Sequence, residues 1–463
     1  MDPMVILSSV EESAAGALKK AGATAKDILG VGITNHREST VVWDKRTGKP
    51  LYDCVLWHDA RTMETSNALK QKLGGQDALR SISGLPISSY FSGVKLRWLI
   101  DNVPDVRSGF ERGTALFGTV DTWLAWNLTG GAGANPRHIT DVTNASRTMM
   151  MNLESTEWSS EAVDALGLGL TTGGLPEIIS SAEAMGIVSN GGALHGVALT
   201  SMLGDQQSAM VGQRCFSVGD AKTTYGSGAF LLMNAGTKPA RSTHGLLSTA
   251  LYKFGSWGPT HYAMEGAIAS CAVGINWFRD NLKMLKEAPE ISHLASQVET
   301  TDGLFFVPAF GGLLAPHWRD DARATLVGLS LAHDRRHVSR AVLEGIAFQV
   351  KEVVDAMAAD TGTRLSTMRV DGGVSQSDPL LQYQADLLGV QVQRPANVET
   401  TALGAGIGAG LGAGLWNSLE DLSTSGGEIE RSYTPSISEA AREEQCAAWS
   451  KAVKASMGWG HTQ

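Results

Sequence analysis

The residues with the strongest chemical potential stand where apolar runs end. In HGVALTSMLGDQQSAMVGQ a strand pattern closes on Gly204, and Asp205-Gln206-Gln207 open a helical pattern. Ligand sites in α/β folds lie at the carboxyl ends of strands, so a carboxylate there can hold a substrate hydroxyl or a metal ion. An N-cap Asp fits the same letters. In Tyr225-Gly226-Ser227-Gly228 two glycines flank a hydroxyl between strand patterns. Backbone N–H groups in such a turn can converge on one anion, and an ordinary hairpin has the same spelling. Asp371-Gly372-Gly373 follows the strand pattern Met368–Val370 and precedes a helix. Paired glycines there let a nucleotide approach the backbone near a helix N-terminus, although a plain strand–helix turn would serve as well.

A fourth segment, Asn35-His36-Arg37-Glu38, ends another strand pattern. A guanidinium beside a carboxylate offers donors next to an acceptor, which suits a polyol with neighbouring hydroxyls. A surface ion pair of little energetic weight is the alternative. Trp57 in VLWHDAR and Tyr90 in SSYFSG are aromatic positions beside polar ones, fit for a ligand face or for core. The histidines are read as scattered, without HxxxH or HxH spacing, and no metal site is proposed from them. Gly404–Gly414 has glycine at nearly every second position, but no strand precedes it in the register of a phosphate loop. A closely packed helix accounts for it better.

The elements that must position these groups alternate. A helix is expected over residues 5–25 and strands over Ile28–Thr34 and Ser39–Trp43. Strand–helix pairs follow in GTALFGTVDTWLAWNLTGG and around Asp205, then two strands around Gly226, then strand–turn–helix around Asp371. Such alternation predicts α/β layers on a mainly parallel or mixed sheet. A boundary is expected near Gly212–Gly219, and residues 417–436 and 456–463 read as polar connecting or terminal segments. The length of 463 residues suits two or three domains.

Composition excludes several functions. Lys plus Arg is 38 and Asp plus Glu is 47, a net charge of −9, which is wrong for a nucleic-acid binder or a protein held on anionic lipid. Glycine at 53 residues is well above the usual 7% or so, as expected of many tight turns and close backbone approaches. Four dispersed cysteines with no CxxC pair fit a reducing compartment. The opening MDPMVILSSVEES has no basic n-region or long apolar core, so no signal peptide is expected. The most apolar stretch, Ala402–Trp416, is 15 residues long and too short to span a bilayer. The expectation is a soluble cytoplasmic protein without membrane insertion.

The order of these motifs resembles the FGGY carbohydrate kinases, and within them the glycerol branch. YFSGVKLRWLIDN (residues 90–102) is similar to the family's first signature and ATLVGLSLAHDRRHVSRAVLE (residues 324–344) to its second. FGTVDTW, DVTNASRTM, LGDQQ, HGLLST, VPAF and ETTALGAG belong to the same pattern. The resemblance implies an α/β fold of two actin-like (ribonuclease-H-like) ATPase domains with an interdomain cleft. It divides them at residues 1–213, the glycerol-binding domain, and 214–463, the nucleotide-binding domain. It implies ATP-dependent phosphorylation of glycerol to sn-glycerol 3-phosphate with Mg²⁺, in a homo-oligomer (dimer or tetramer). By position, Arg37, Glu38, Tyr90, Asp205 and Gln206 match the glycerol-binding residues, and Trp57 and Phe230 the aromatic pair against the carbon skeleton. Asp205 matches the catalytic base and a carboxylate facing Mg-ATP. Ser227, Gly228, Ala272, Asn276, Gly373 and Ser377 match nucleotide-facing positions.

The departures from the family pattern are specific. Ser227 stands where Thr is usual, His36 and His58 where Gln is, Ser377 where Asn is frequent, and Ala272 and Asn276 where Gly and Gln are. The family pattern also opens with a strand–turn–strand carrying a D-Q-G-T-T-S-type phosphate loop, which precedes anything in this sequence. The first domain is therefore expected to be incomplete, with unpaired strand edges. Two other readings follow: a kinase of another sugar or polyol, and a non-catalytic glycerol-binding isoform or a fragment.

Overall fold

The structure, a computed structural model, describes residues 1–133, 135–255, 258–424 and 427–460. Its first half is built around a three-stranded sheet ordered Val31–Asn35, Ala198–Gly204, Ala182–Ile187. The first two strands run parallel, with Asn35 opposite Gly204, so both open their carboxyl ends at one place. Among the described residues Val31–Asn35 is an edge strand. Beside it runs an apolar groove of about 630 Å³ lined by Ile33, Leu124, Leu194, Ala405 and Leu415 among others. A separate antiparallel pair, Val41–Asp44 with Ala115–Gly118, carries the fully buried Trp43. Its ring meets Trp123 at 5.3 Å and Trp126 at 5.7 Å, an aromatic core of the kind that dominates burial energy.

The helix expected over 5–25 spans Pro3–Ala21. Asp2 caps it through Met4 N, and Gly22 ends it at φ 64°. The expected strands settle at Val31–Asn35 and Val41–Asp44, within the few residues by which such edges commonly slip.

The second half holds a seven-stranded mixed sheet. Its order is Leu247–Tyr252, His261–Ile268, Ala229–Gly236, Asp220–Tyr225, Thr367–Asp371, Val392–Pro395, Ile429–Tyr433. The first four are antiparallel neighbours, while Asp220–Tyr225, Thr367–Asp371 and Val392–Pro395 run parallel. Side chains alternate between two cores. Leu231 and Met233 join the core of the long helix Arg335–Thr361, and Leu232 joins the core of helices Asp205–Gly212 and Thr400–Gly412. Ile429–Tyr433 corrects the expectation of a connecting segment over 417–436. It is an edge strand with four of five residues exposed, held by backbone pairing, and so lacks the apolar alternation that betrays a strand.

The glycine-rich stretch is indeed a closely packed helix, Thr400–Gly412. A Cβ on Gly404 would lie 1.8 Å from Ser208 O, and one on Gly212 would lie 2.0 Å from Thr400 O. Only glycine lets this helix press against helix Asp205–Gly212 and the strands Val31–Asn35 and Ala198–Gly204. Although late in sequence, it thus buttresses the first half directly behind Asp205. Among the described residues no helix is long and apolar enough to cross a membrane.

Candidate active site

Two parallel strand ends bring Arg37, Glu38 and Asp205 together. Gly204 takes the N-cap position and Asp205 is the first residue of its helix, so the N-cap reading of Asp205 gives way. Its carboxylate is about one-third exposed, with Oδ1 2.8 Å from Gln206 N and 3.2 Å from Arg37 Nε. Arg37 is almost wholly buried. It donates through Nη1 and Nη2 to Glu265 at 2.6 and 2.9 Å, a two-pronged pair reaching into the second half of the chain. Nη1 also reaches Gln207 Oε1 at 3.3 Å.

Glu38 has φ 62°, a left-handed conformation that costs a non-glycine residue of order 1 kcal/mol or more. Its surroundings hold it there. Ser92 Oγ donates to its carbonyl at 3.0 Å, and Arg147 Nε donates to its Oε1 at 2.6 Å. Burial pushes the Glu38 carboxyl up, against the pull of Arg147 and Arg37. For Glu265 burial acts in the same sense but Arg147 and Arg37 outweigh it, leaving the group at about 2. Arg147 is fully buried and donates through Nη2 to Glu265 at 3.2 Å.

Gln206 is fixed from the other side. Its Oε1 accepts from Lys222 Nζ, which also donates to Thr224 Oγ1 at 2.8 Å. Burial lowers the pKa of the Lys222 ammonium, with Asp371 and Asp205 pulling it back up.

An aromatic wall closes over these polar groups. The Trp57 ring meets Tyr90 at 5.6 Å and Phe230 at 6.3 Å, both edge-on. Trp57 N donates to Ser39 Oγ at 3.0 Å, and that hydroxyl bonds His36 Nδ1 at 2.8 Å. His58 packs on the outer edge of Trp57 at 5.1 Å. Lys95 donates to the Ser89 and Tyr90 carbonyls, so a buried ammonium pins the loop that presents Tyr90.

The two glycine turns of the second half are neighbours as well. Thr224 and Asp371 are register partners on parallel strands, and a Cβ on Gly372 (φ 85°) would meet Tyr225 O at 2.4 Å. Ser227 is exposed at its turn, and Gly228 admits Ile268 O, which a Cβ would meet at 2.3 Å. The N–H groups of Cys271, Ala272 and Val273 donate to the Gly226 and Ser227 carbonyls, so these amides tie the turn to helix Ala272–Asp280. Asn276 lies one turn further along that helix, and Gly373 has open space where a Cβ would point. Ser377 stands apart from this cluster in role: it is buried and caps helix Asp378–Leu388, with its hydroxyl bonded to Ser292 Oγ at 2.8 Å. Asp371 is buried, with Oδ2 held by Gln213 at 2.5 Å and by Thr400, while its Oδ1 has no partner.

Sequence reading missed Glu265, Arg147 and Lys222. A signal existed for Glu265, since HYAMEGAI is an apolar strand with one carboxylate, and such a group needs a buried cation. The histidines also need a correction. His333 and His337 have the one-turn spacing of a ligand pair and their rings lie 5.4 Å apart. Yet His333 Nδ1 accepts from Ser330 N at 2.8 Å, and no group of three or more His, Cys, Asp or Glu among the described residues could hold a metal ion.

The profile of the FGGY family of carbohydrate kinases matches this chain in two parts, its N-terminal domain over residues 1–212 and its C-terminal domain over 221–413. A glycerol kinase of Chloroflexus aggregans is 47% identical over 444 residues, 96% of this chain and 88% of that protein. Glycerol kinase 2 of Streptomyces avermitilis is 48% identical over 461 residues, 99% of this chain and 89% of that protein. The crystal structure of Plasmodium falciparum glycerol kinase with ADP superposes with TM-score 0.92 at 36% identity, covering 98% of this chain and 90% of that one. A gluconate kinase from Lactobacillus acidophilus, 19% identical with TM-score 0.85, shares the fold. With a two-domain actin-like architecture and matches on both sides of the Arg37–Glu265 contact, the chain belongs to the FGGY family of carbohydrate kinases.

Proposed function

We propose that this chain transfers the γ-phosphoryl group of ATP to a terminal hydroxyl of glycerol, giving sn-glycerol 3-phosphate. The observation that carries the reading is the convergence of Arg37, Glu38 and Asp205 beneath the ring wall of Trp57, Tyr90 and Phe230. That juxtaposition suits a small polyol, with carbon on the rings and hydroxyls on the charges. Glu38 offers its second carboxylate oxygen as acceptor, and Arg37 Nη2 carries a second N–H beyond the one on Glu265. Gln206, held by Lys222, adds an amide beside them.

Asp205 orients the attacking hydroxyl and accepts its proton late. Phosphoryl transfer passes through a loose transition state, so positioning and charge compensation supply most of the acceleration. The nucleotide is assigned to the paired turns at Ser227-Gly228 and Gly373, with Ala272 and Asn276 on the adjoining helix. Ser377 would act from behind as the cap of helix Asp378–Leu388. Mg²⁺ fits as an ion carried on the phosphates and met by one or two carboxylates, not as one caged by protein. Asp205, partly exposed, would face it, and the unpartnered Oδ1 of Asp371 is a second acceptor nearby in the fold. When bound, the ion neutralises phosphate charge. We assign residues 1–213 to acceptor binding and 214–463 to the nucleotide, with Phe230 reaching from the latter into the polyol wall, in a cytoplasmic setting that suits four free cysteines.

The test is ATP-dependent formation of glycerol 3-phosphate by the 463-residue chain, beside a panel of sugars and longer polyols. Glycerol is expected to be the preferred acceptor. Product from another polyol but none from glycerol would move the substrate assignment. Glycerol binding without transfer would overturn the kinase reading and leave a binding protein.

A further inference from the structure

We propose that Glu265 is a positioning residue of the polyol site, contributed by the second half of the chain to hold the two terminal nitrogens of Arg37 while its Nε meets Asp205. The proposal rests on the glycerol reading of that site. Glu265 lies on strand His261–Ile268, is 2% exposed, and takes both terminal nitrogens of Arg37 at 2.6 and 2.9 Å. Arg147 adds a third contact at 3.2 Å while its Nε is on Glu38 at 2.6 Å. The result is a closed ring of two guanidinium groups and two carboxylates, neutral within itself, with Asp205 on its open side.

Without Glu265, Arg37 has two other carboxylates within reach. Its Nε is already 3.2 Å from Asp205 and 4.0 Å from Glu38. A buried guanidinium cannot stay uncompensated. Released from Glu265, it would swing onto Asp205 or Glu38 and occupy the oxygens that should accept substrate hydroxyls. Glu265 therefore sets where the donors point without itself meeting the polyol. Because Arg37 belongs to the first half and Glu265 to the second, the polyol site is complete only when the two halves meet.

The test compares wild type with Glu265→Gln, Glu265→Asp and Arg147→Lys in the full-length chain. KM for glycerol and for ATP is measured, glycerol binding is followed by tryptophan fluorescence, and the unfolding midpoint is recorded. Glu265→Gln is expected to raise KM for glycerol at least tenfold while KM for ATP stays within twofold. Glu265→Asp, which keeps the charge, should fall between Gln and wild type. If Glu265→Gln does not fold, Arg147→Lys carries the test, because it keeps a cation but loses the fork that joins Glu38 to Glu265. A lower unfolding midpoint with both KM values unchanged in the folded variants overturns the proposal and leaves Glu265 structural. Wild type that neither binds nor phosphorylates glycerol removes the functional reading, and this proposal with it. Active wild type matched by its folded variants removes the Glu265 assignment alone.

Discussion

Arg37 Nε stands 3.2 Å from Asp205 Oδ1, nearer than the 4.0 Å that separates it from its own neighbour in sequence, Glu38. The adjacent opposite charges are thus not each other's main partners. Arg37 pairs with Asp205 and Glu265, and Glu38 pairs with Arg147; both oxygens of Glu265 are taken, while Asp205 and Glu38 each keep one for other use. Burial distinguishes this from an exposed ion pair, because in a low-dielectric pocket the donor and acceptor directions stay fixed.

Asp205→Asn is expected to lower kcat for glycerol phosphorylation by about 10²–10⁴-fold, the usual range for losing a positioned proton acceptor. Its carboxylate is partly exposed, so the folded state should lose no more than about 1 kcal/mol. Coupled assay and urea unfolding on the same preparation separate the two effects. Unchanged kcat in the Asn variant would remove Asp205 from the chemistry.

The aromatic wall makes a different prediction. Trp57→Ala should raise KM for glycerol about tenfold, equivalent to about 1.4 kcal/mol, because a three-carbon ligand offers little surface to a ring. KM for ATP should not follow, since the ring partners of Trp57 are His58, Tyr90 and Phe230. Isothermal titration with glycerol and with ADP checks both halves of the claim. Equal losses for the two ligands would mean that the wall holds the fold and not the polyol.

Gly404→Ala tests the buttress behind Asp205. The added methyl would lie 1.8 Å from Ser208 O, a backbone atom that cannot swing aside. Overpacking commonly costs about 1–3 kcal/mol, and a rigid backbone neighbour places this site at the upper end. Gly406→Ala on the same helix meets nothing within 4 Å and should be neutral or mildly stabilising, as alanine is the better helix former. Thermal unfolding of the two variants should therefore diverge, and matching midpoints would sink the close-packing account.

What the sequence could disclose followed from how locally each feature is encoded. Asp205, Arg37 and the glycine turns were legible because strand ends and glycines are local patterns with few meanings. The helix at Thr400–Gly412 was legible for the same reason. Glu265 and Arg147 were not, because an ion pair between residues 118 apart leaves no mark at either end beyond a charge in apolar surroundings. Ile429–Tyr433 escaped because an exposed edge strand is defined by its neighbour's backbone and not by its own side chains. The groove beside Val31–Asn35 is likewise a property of packing, which periodicity cannot register.

A carboxyl outside the site makes the stability of the fold depend on pH. Asp121 is fully buried in the FGTVDTW segment, where it accepts from Thr119 Oγ1 and, at 2.7 Å, from Thr140 Oγ1. Burial first, and the nearby Asp141 second, push its pKa from 3.8 to about 7. The folded chain therefore binds more protons here than the unfolded chain between about pH 4 and pH 7. Stability from this group is full below the unfolded value and is lost as pH rises through the folded one, at no more than about 1.4 kcal/mol per unit of pH. Asp121→Asn cannot ionise, and it relieves Asp141 of a neighbouring negative charge, which works in the same direction. The variant should gain stability relative to wild type from pH 4 to 7 and hold that gain above pH 8. Glu344, also raised to about 7 by burial, contributes equally to both chains and cancels in the difference. Urea unfolding of the pair at pH 5 and pH 8 measures it, and parallel stability curves would show that Asp121 stays ionised in the fold.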